Sequence, residues 1–480
     1  MTIEPGCEQT PLPTTPTTAS PPEPRSAQHI EHAFAACTQV HDRTEATNVA
    51  SAFDRARVSE TPPLVARGAH GLSTVPTRVA TPVTAKLTEF EEARSRVLER
   101  ASALTPELIA LSDALGRVLA EQIRAAEDVP AFDNSAMDGF AVRARDSGSG
   151  ARLRIVDESR AGAPASSMIG EGEACAISTG AAIPAGADAV VPVEQTRRDE
   201  RDLELLLSVP ADNHVRHTGD DVRAGQLLLA AGVRIGPVEL GVLASAGRPT
   251  LLAGRRPRVA IVTTGDELVE VDEQLRPGAV RNSAAHVMPA LVRRAGAEAV
   301  SVAHVRDDPT LIRQTIAAAL DADVTVITGG MSVGEHDHVS EVLERLGVVR
   351  RFAGVALRPG KPFAFGTREE TLVFGLPGNP VSSLVTFLLF VRPALAALAG
   401  ESPARARTIA TLDEDCERTP GRVHAVRCRL ALRADGWHAS TTGPQASHVL
   451  TSMLGADALA LIPAGEGVLA AGEQVVLELL

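Results

Sequence analysis

Tyrosine is absent from this 480-residue chain, tryptophan occurs once (Trp437), and aromatic residues make up 2% of it. Its cores must therefore be built from Ala, Val, Leu and Ile. Lysine is nearly absent too: Lys86 and Lys361 are the only two, so almost all of the 47 Lys+Arg are arginine. Arg and Lys serve a solvated surface about equally well, so a lysine standing against that bias marks a place suited to a compact ammonium. The five cysteines (Cys7, Cys37, Cys175, Cys416, Cys428) are odd in number and form no CxxC or zinc-like pair, which points to a reducing, cytoplasmic compartment. No segment combines a basic start, an apolar stretch and a small-residue cleavage site. The most apolar run, SSLVTFLLFVRPALAALAG, is interrupted by Arg392 and Pro393 and reads as a buried helix, not a membrane span. A formal net charge of −13 argues against a general nucleic-acid binder while leaving room for a local basic pocket.

What is present divides along the chain. Residues 1–85 carry Pro/Thr-rich stretches such as QTPLPTTPTTASPPEPR and predict a disordered extension, because such composition holds neither helix nor sheet. From Lys86, TEFEEARSRVLERASAL has helical spacing, and Thr-Pro in TPELIALSDALGRVLAEQI predicts a second helix. DVPAFDNSAMDGFAV is too rich in turn residues to be helical. Residues 150–215 hold short apolar runs between Gly/Pro turns, predicting a small β-rich domain. Residues 257–400 alternate strand and helix, and their continuous apolar runs suit buried parallel strands. The tail from 405 reads as a separate β domain.

In a parallel sheet, ligands bind beyond the carboxyl ends of the strands. The segments predicted at those ends are TTGDE, RDD, TGGMSVGEHD, RPGK and LPGNPVS. The 328–334 loop lacks Cβ bulk at Gly329, Gly330 and Gly334, so its amides can converge on an oxyanion, with Ser332 as a further donor. It is not a Walker loop, since no GK[ST] follows. Asp266, Glu267, Asp307, Asp308, Glu335 and Asp337 crowd the same face. They would repel one another without a cation, and Mg²⁺ suits carboxylates that also meet a phosphate. Asp308, before Pro309, fits a helix cap. Arg358 and Lys361 project from a stiff Pro/Gly turn, suited to oxyanion contact. In LPGNPVSS, Asn379 and Ser382 open the last helix and can meet an anion. No Ser-His-Asp or Cys-His set accompanies them. The ensemble describes a phosphate-type ligand and metal-assisted displacement at phosphorus or a similar centre.

Together PAFDNSAMDGFAV, STGAAIPAGADAVVPVEQ, GDDVRAG, TTGDEL, NSAAHVMPALVRRAGAE, VRDDP, TGGMSVGEHDHV, RPGKPFAFG, GLPGNPVSS, TPGRVHAVRC and TTGPQASHVLTSMLGADAL closely resemble the molybdopterin molybdenumtransferase family, MoeA-type enzymes that include the gephyrin E domain. The motifs run in the family's order from about residue 86 to 480. The resemblance implies a multidomain α/β plus β fold. Residues 86–131 and 220–256 would form a helical connecting, dimerising domain, and 132–219 a β-rich insert. Residues 257–404 would form a MogA-like molybdopterin-binding α/β domain, and 405–480 a C-terminal β-barrel. It implies a homodimer whose cleft is shared between subunits, exchange with other molybdenum cofactor biosynthesis enzymes, and no nucleic-acid or membrane partner. It also implies insertion of molybdenum from molybdate into adenylylated molybdopterin, with Mg²⁺ assistance and release of AMP.

Carried over by motif, Asp138 and Asp221 match activity-bearing positions at the cleft, and Glu267, Asp307 and Asp337 match the acids of the pterin-binding domain and its metal. Ser332 and Ser382 match ligand-contacting serines, and Lys361 the lysine of the PGKP turn. Either Arg422 or Arg427, with Ser447, matches positions on an oxyanion route. Arg358 stands where many relatives have Lys, Gly354 where some carry a base, and Phe140 where Tyr is frequent. Two rival functions remain on sequence alone: a molybdopterin adenylyltransferase, usually the α/β domain by itself, and a non-catalytic scaffold on the same fold.

Overall fold

The computed structural model describes residues 87–330, 338–401 and 408–480; the expectations for 1–85, Ser332, Gly334 and Asp337 lie outside them. Helix α1 (Phe90–Leu98) opens the described chain and buries Phe90, Ala93 and Val97. The expected second helix is instead a strand, β1 (Glu107–Ala110), followed by a short 3-10 turn at Leu111–Asp113. Antiparallel pairing with the later strand Thr250–Ala253 decides the matter: tertiary pairing outweighs a weak helical pattern that Gly116, at φ 74°, would have interrupted anyway.

The β-rich region follows as β2 (Gly139–Val142), β3 (Arg152–Ser159), β4 (Glu173–Ile177), β5 (Ala189–Pro192), β6 (Thr196–Asp199) and β7 (Asp202–Leu205). They form one sheet in the order β5–β2–β4–β3–β7–β6. Phe140, Val142, Leu153, Val191, Leu203 and Leu205 pack on one of its faces. Helix α2 (Pro237–Ser245) and β8 (Thr250–Ala253) then return the chain to β1.

The α/β region comprises β9 (Arg258–Thr264), α3 (Ala284–Arg294), β10 (Glu298–Val305), α4 (Pro309–Ala319), β11 (Val324–Thr328), α5 (His338–Arg345), β12 (Val349–Ala353), β13 (Ala364–Arg368) and β14 (Thr371–Leu376). The sheet order is β10–β9–β11–β14–β13–β12. The first four are mutually parallel, as their apolar runs predict. β13 runs antiparallel to both of its neighbours, because only a tight turn at Arg368–Thr371 separates it from β14, too short for a crossover.

Helix α6 (Pro380–Leu398) has mean hydropathy 1.9 yet is 83% buried, as expected of a core helix. Arg392 and Pro393 do not break it; a π turn at Phe387–Val391 precedes them, widening the helix where Pro393 cannot donate an amide. Seven of the nine phenylalanines among the described residues (Phe90, Phe352, Phe363, Phe365, Phe374, Phe387, Phe390) meet in one core. Phe390 stacks on Phe363 with centroids 4.4 Å apart and meets Phe90 edge-on at 5.7 Å. Each such burial contributes about 2–3 kcal/mol, so this cluster anchors both α1 and the turn just before Phe363.

The last region closes a five-stranded barrel: β15 (Thr408–Leu412), β16 (Val423–Arg433), β17 (Gly436–Thr441), β18 (Ala458–Ile462) and β19 (Gln474–Leu479). The order β16–β17–β15–β19–β18 returns to β16. Leu357–Arg358 adds a short parallel pairing onto Val423–His424.

Candidate functional site

Four parallel strands end on one edge of the α/β sheet. Their exits carry Thr264–Glu267 (β9), Arg306–Asp308 (β10), Gly329–Gly330 (β11) and Pro377–Asn379 (β14). Because β13 is antiparallel to β14, Lys361, just ahead of β13, returns to the same edge. The predicted assembly of polar turns there is what the strand directions produce.

At that edge the acids from β9 and β10 interlock. The Asp266 amide donates to the Asp307 carboxylate at 3.3 Å, and the Asp307 amide donates to Asp266 at 3.3 Å. Asp308 is the expected cap, its carboxylate accepting from Thr310 and Leu311 amides at 2.8 and 2.9 Å. Gly329 and Gly330 have φ of 88° and 61°, and a Cβ on them would lie 2.5 Å from the Thr264 carbonyl and 2.6 Å from Val339 Cγ2. Only glycine fits such a turn. Thr264 is 2% exposed, and its buried hydroxyl has no hydrogen-bond partner among the described residues. An unpaired buried hydroxyl costs free energy unless a ligand or water meets it.

Two cavities join here, sharing Thr264, Glu267, Gly329 and Gly378. One, of about 600 Å³, is lined further by Asn282, Met288, Asn379, Ser383 and His448. The other, of about 540 Å³, is lined by Asp307, His338, Pro362 and Pro377. Asn379 therefore faces the cavity, whereas Ser382 is 4% exposed and does not line it. Its neighbour Ser383 does, with a hydroxyl donating to the Pro377 and Asn379 carbonyls, each at 2.9 Å. Thr264, Asn282, Ser383 and His448 were not singled out from the sequence. All four sit inside the motifs TTGDEL, NSAAHVMPALVRRAGAE, GLPGNPVSS and TTGPQASHVLTSMLGADAL, but a polar residue at a strand or helix end carries no signal of its own.

The basic residues divide by role. Lys361 is exposed and its turn is rigid: Gly360 has φ 129°, and a Cβ there would lie 2.7 Å from Thr386 Cγ2. Arg358 donates to Glu417 at 3.0 Å and to Thr419 Oγ1 at 3.1 Å. That pair is solvent-exposed, so it is worth about 0–1 kcal/mol and is open to competition by an anion. Arg427 is fully buried. It donates to Ser452 Oγ at 3.2 Å and to the Pro444 and Ala446 carbonyls at 3.3 Å, bracing the loop before Ser447. Burial pulls its guanidinium pKa down to about 10, with Arg358 adding to the effect, and its Nη1 is unpartnered among the described residues. Arg422 is half-buried, which makes it the more accessible of the two arginines. The Ser447 carbonyl accepts from the Val381 amide at 3.2 Å, joining the barrel's loop to the start of α6. His424, beside Arg427, donates from Nδ1 to the Glu417 carbonyl at 2.9 Å. Burial holds its pKa below the usual imidazole value.

Asp138 and Asp221 are not brought to this edge; neither lines the cavities there. Asp138 accepts the Thr179 amide at 2.7 Å. Asp221 lines a separate cavity of about 670 Å³ together with Glu127, Asp128, Val238 and Val242. Among the described residues no three His, Cys, Asp or Glu side chains are grouped to hold a metal. Glu267 and Asp307 nevertheless face one cavity, and Mg²⁺ is usually held by one or two carboxylates plus substrate phosphates and water. The donor set present fits that ion.

Comparison with known proteins agrees in three successive segments. Residues 88–247 match the MoeA N-terminal region (domains I and II), 260–397 a probable molybdopterin binding domain, and 410–480 the MoeA C-terminal region (domain IV). A molybdopterin molybdenumtransferase from Haemophilus influenzae is 35% identical over 397 residues, covering 81% of this chain and 98% of the relative. Another, from a Nostoc species, is 36% identical over 387 residues, covering 77% and 87%. Two crystal structures of a molybdopterin biosynthesis MoeA protein from Pyrococcus horikoshii superpose with TM-scores of 0.69 and 0.70, at 31% and 29% identity. Each covers 82% of this chain and 99% or 100% of the other.

Proposed function

Since this chain belongs to the molybdopterin molybdenumtransferase family, we propose that it inserts molybdenum from molybdate into adenylylated molybdopterin, with release of AMP. One observation carries the proposal. The Asp266–Asp307 pair, Glu267, the Gly329–Gly330 turn and the Lys361 turn all converge on one sheet edge, around joined cavities of about 600 and 540 Å³. That is room and chemistry for a polyanionic ligand with an extended ring system.

In this account water attacks the phosphoanhydride of the bound adenylate, and AMP leaves while the pterin keeps its own phosphate; molybdate bonds to the two dithiolene sulfurs as one of its oxo groups takes their protons and departs as water. The Gly330 amide, with Ser332 and Gly334 beyond it, holds phosphate oxygens, while the Gly329 amide donates to the Leu376 carbonyl at 3.4 Å and fixes the turn. Asn379 holds the ligand from the start of α6, and Ser382 supports that turn from within the core. Lys361 and Arg358 hold oxyanions, with Arg422 and Ser447 on the barrel side and Arg427 bracing their loop. Glu267, Asp307 and Asp337 would hold Mg²⁺, which supplies neutralisation of charge on the leaving phosphate when bound.

Asp138 and Asp221 enter through a second copy of the chain. We assign the cleft to a homodimer in which residues 132–219 of one subunit face residues 257–404 of the other, with 86–131 and 220–256 as the dimerising connection and 405–480 as the flanking barrel. A cytoplasmic setting, alongside other enzymes of cofactor biosynthesis, accords with the thiols of Cys175, Cys416 and Cys428. These are free and buried, and burial raises their pKa values to about 11, 11 and 12.

Supplying ATP and molybdopterin, then adenylylated molybdopterin and molybdate, separates this function from its rivals. Adenylate formation from ATP would indicate an adenylyltransferase; neither reaction would indicate a scaffold. The matched segments flanking the α/β region count against the first rival, and the retained acids count against the second.

A further inference from the structure

On the segment that carries Asp221, facing the one that carries Asp138, lies a histidine with carboxylates at both ring nitrogens. His217 Nδ1 faces Asp133 Oδ2 at 3.2 Å, and Nε2 faces Asp212 Oδ1 at 3.3 Å. The His217 amide donates to Asp220 at 2.7 Å. Asp133 also accepts from the amide and hydroxyl of Thr218, at 2.8 and 2.9 Å. The backbone continues the junction. Val215–Arg216 pairs with Asn134–Ser135, the Ala136 amide donates to the His214 carbonyl at 2.8 Å, and the Asp221 amide donates to the Val129 carbonyl at 3.0 Å. Asp133 and Asp138 share one loop; His217 and Asp221 share the other.

A neutral imidazole has one donor and one acceptor, and a carboxylate only accepts. In the neutral form, therefore, one of the two carboxylates faces a lone pair. Only the imidazolium donates to Asp133 and Asp212 together. We propose that Asp133 and His217 form a protonation-dependent clasp that positions Asp138 and Asp221 relative to each other for the transfer reaction. The clasp rests on the assignment of Asp138 and Asp221 to the cleft. Both are residues that would meet substrate; Asp133 and His217 act through them.

The carboxylates facing His217 are Asp133 from the other loop and Asp212 and Asp220 from its own. The Asp133 hydrogen bond is the largest influence raising the imidazole's pKa. Hydrogen bonds from Thr218, first through its amide, hold the Asp133 carboxyl below its ordinary range. The clasp is thus closed below the ordinary histidine value of 6.5 and opens as pH rises through the raised one.

The test is kcat for AMP release by the full-length protein from pH 5.5 to 9, together with the NMR titration of His217. Wild type should show kcat falling about two- to fivefold as pH rises through the titration of His217. In His217→Gln the limb should vanish and kcat should sit at the lower plateau, with KM for adenylylated molybdopterin little changed. Asp133→Asn should lower the His217 pKa and shift the limb to lower pH. Melting temperatures are read on the same samples. A lowered melting temperature with the limb retained, or a limb unmoved in both variants, overturns the clasp. Absence of AMP release by wild type would overturn the functional assignment itself, and the clasp with it.

Discussion

Asp266 and Asp307 hold each other's backbone, the amide of each donating to the carboxylate of the other at 3.3 Å. The two acids are thereby held against their mutual repulsion, on loops leaving adjacent parallel strands. Among the described residues each carboxylate accepts one long amide hydrogen bond, which leaves lone pairs for a cation. Asp307→Asn should lower the rate of AMP release about 100-fold and raise the Mg²⁺ concentration for half-maximal rate. The melting temperature should stay within a few degrees, since Asn still accepts the Asp266 amide. A Mg²⁺ titration of initial rates checks this.

Gly330→Ala should be costly twice over. Its φ of 61° charges an L-residue about 1–2 kcal/mol, and the new Cβ would meet Val339 Cγ2 at 2.6 Å and Thr264 Oγ1 at 2.9 Å. Thermal unfolding should show a clear loss of stability. Equilibrium dialysis should show weaker binding of adenylylated molybdopterin at temperatures where the variant remains folded.

Lys361→Ala should leave the melting temperature unchanged, because the side chain is exposed, while reducing kcat/KM for molybdate about ten- to hundredfold. Lys361→Arg should recover little of that loss. A planar fork replaces a compact ammonium on a turn that Gly360 and Thr386 keep tight. Steady-state rates at varied molybdate concentration distinguish the two variants.

His424 sets a pH dependence of stability. Its neutral Nδ1–H bonds the Glu417 carbonyl, Nε2 is buried without a partner among the described residues, and burial depresses its pKa below 6.5. Below pH 6.5 the unfolded chain therefore binds a proton that the folded chain refuses, so stability falls with pH until the folded-state pKa is passed. His424→Gln should flatten that part of the acid limb in melting temperature against pH, while the remaining carboxylate-driven acid unfolding persists.

Much of the α/β region was legible because its buried parallel strands are continuous apolar runs, and Asp308–Pro309 announces a helix start. The site's position followed from strand direction alone. The strand at Glu107–Ala110 was hidden because its partner lies at Thr250–Ala253, beyond any local pattern. The reversal of β13 was hidden likewise, although its short link to β14 is visible in the sequence. Asn282 is held at the cavity by donating to Thr263 Oγ1 at 2.9 Å, Ser383 reaches it through helix phase and His448 through the barrel's approach to α6, and none of these is encoded in residue type. Ser382 and Ser383 differ by one position and so by about 100° around the helix, enough to exchange a core contact for a cavity-lining one. His217 stood in no quoted motif, and only the folding of its segment onto Asp133 shows its two carboxylate neighbours.

The most direct test of the central claim is single-turnover release of AMP from adenylylated molybdopterin by the wild-type protein, followed with and without molybdate in the presence of Mg²⁺. Molybdate should accelerate release, with molybdenum recovered on the pterin product in equal amount to AMP. AMP release unaffected by molybdate, or a pterin product lacking molybdenum, would contradict it.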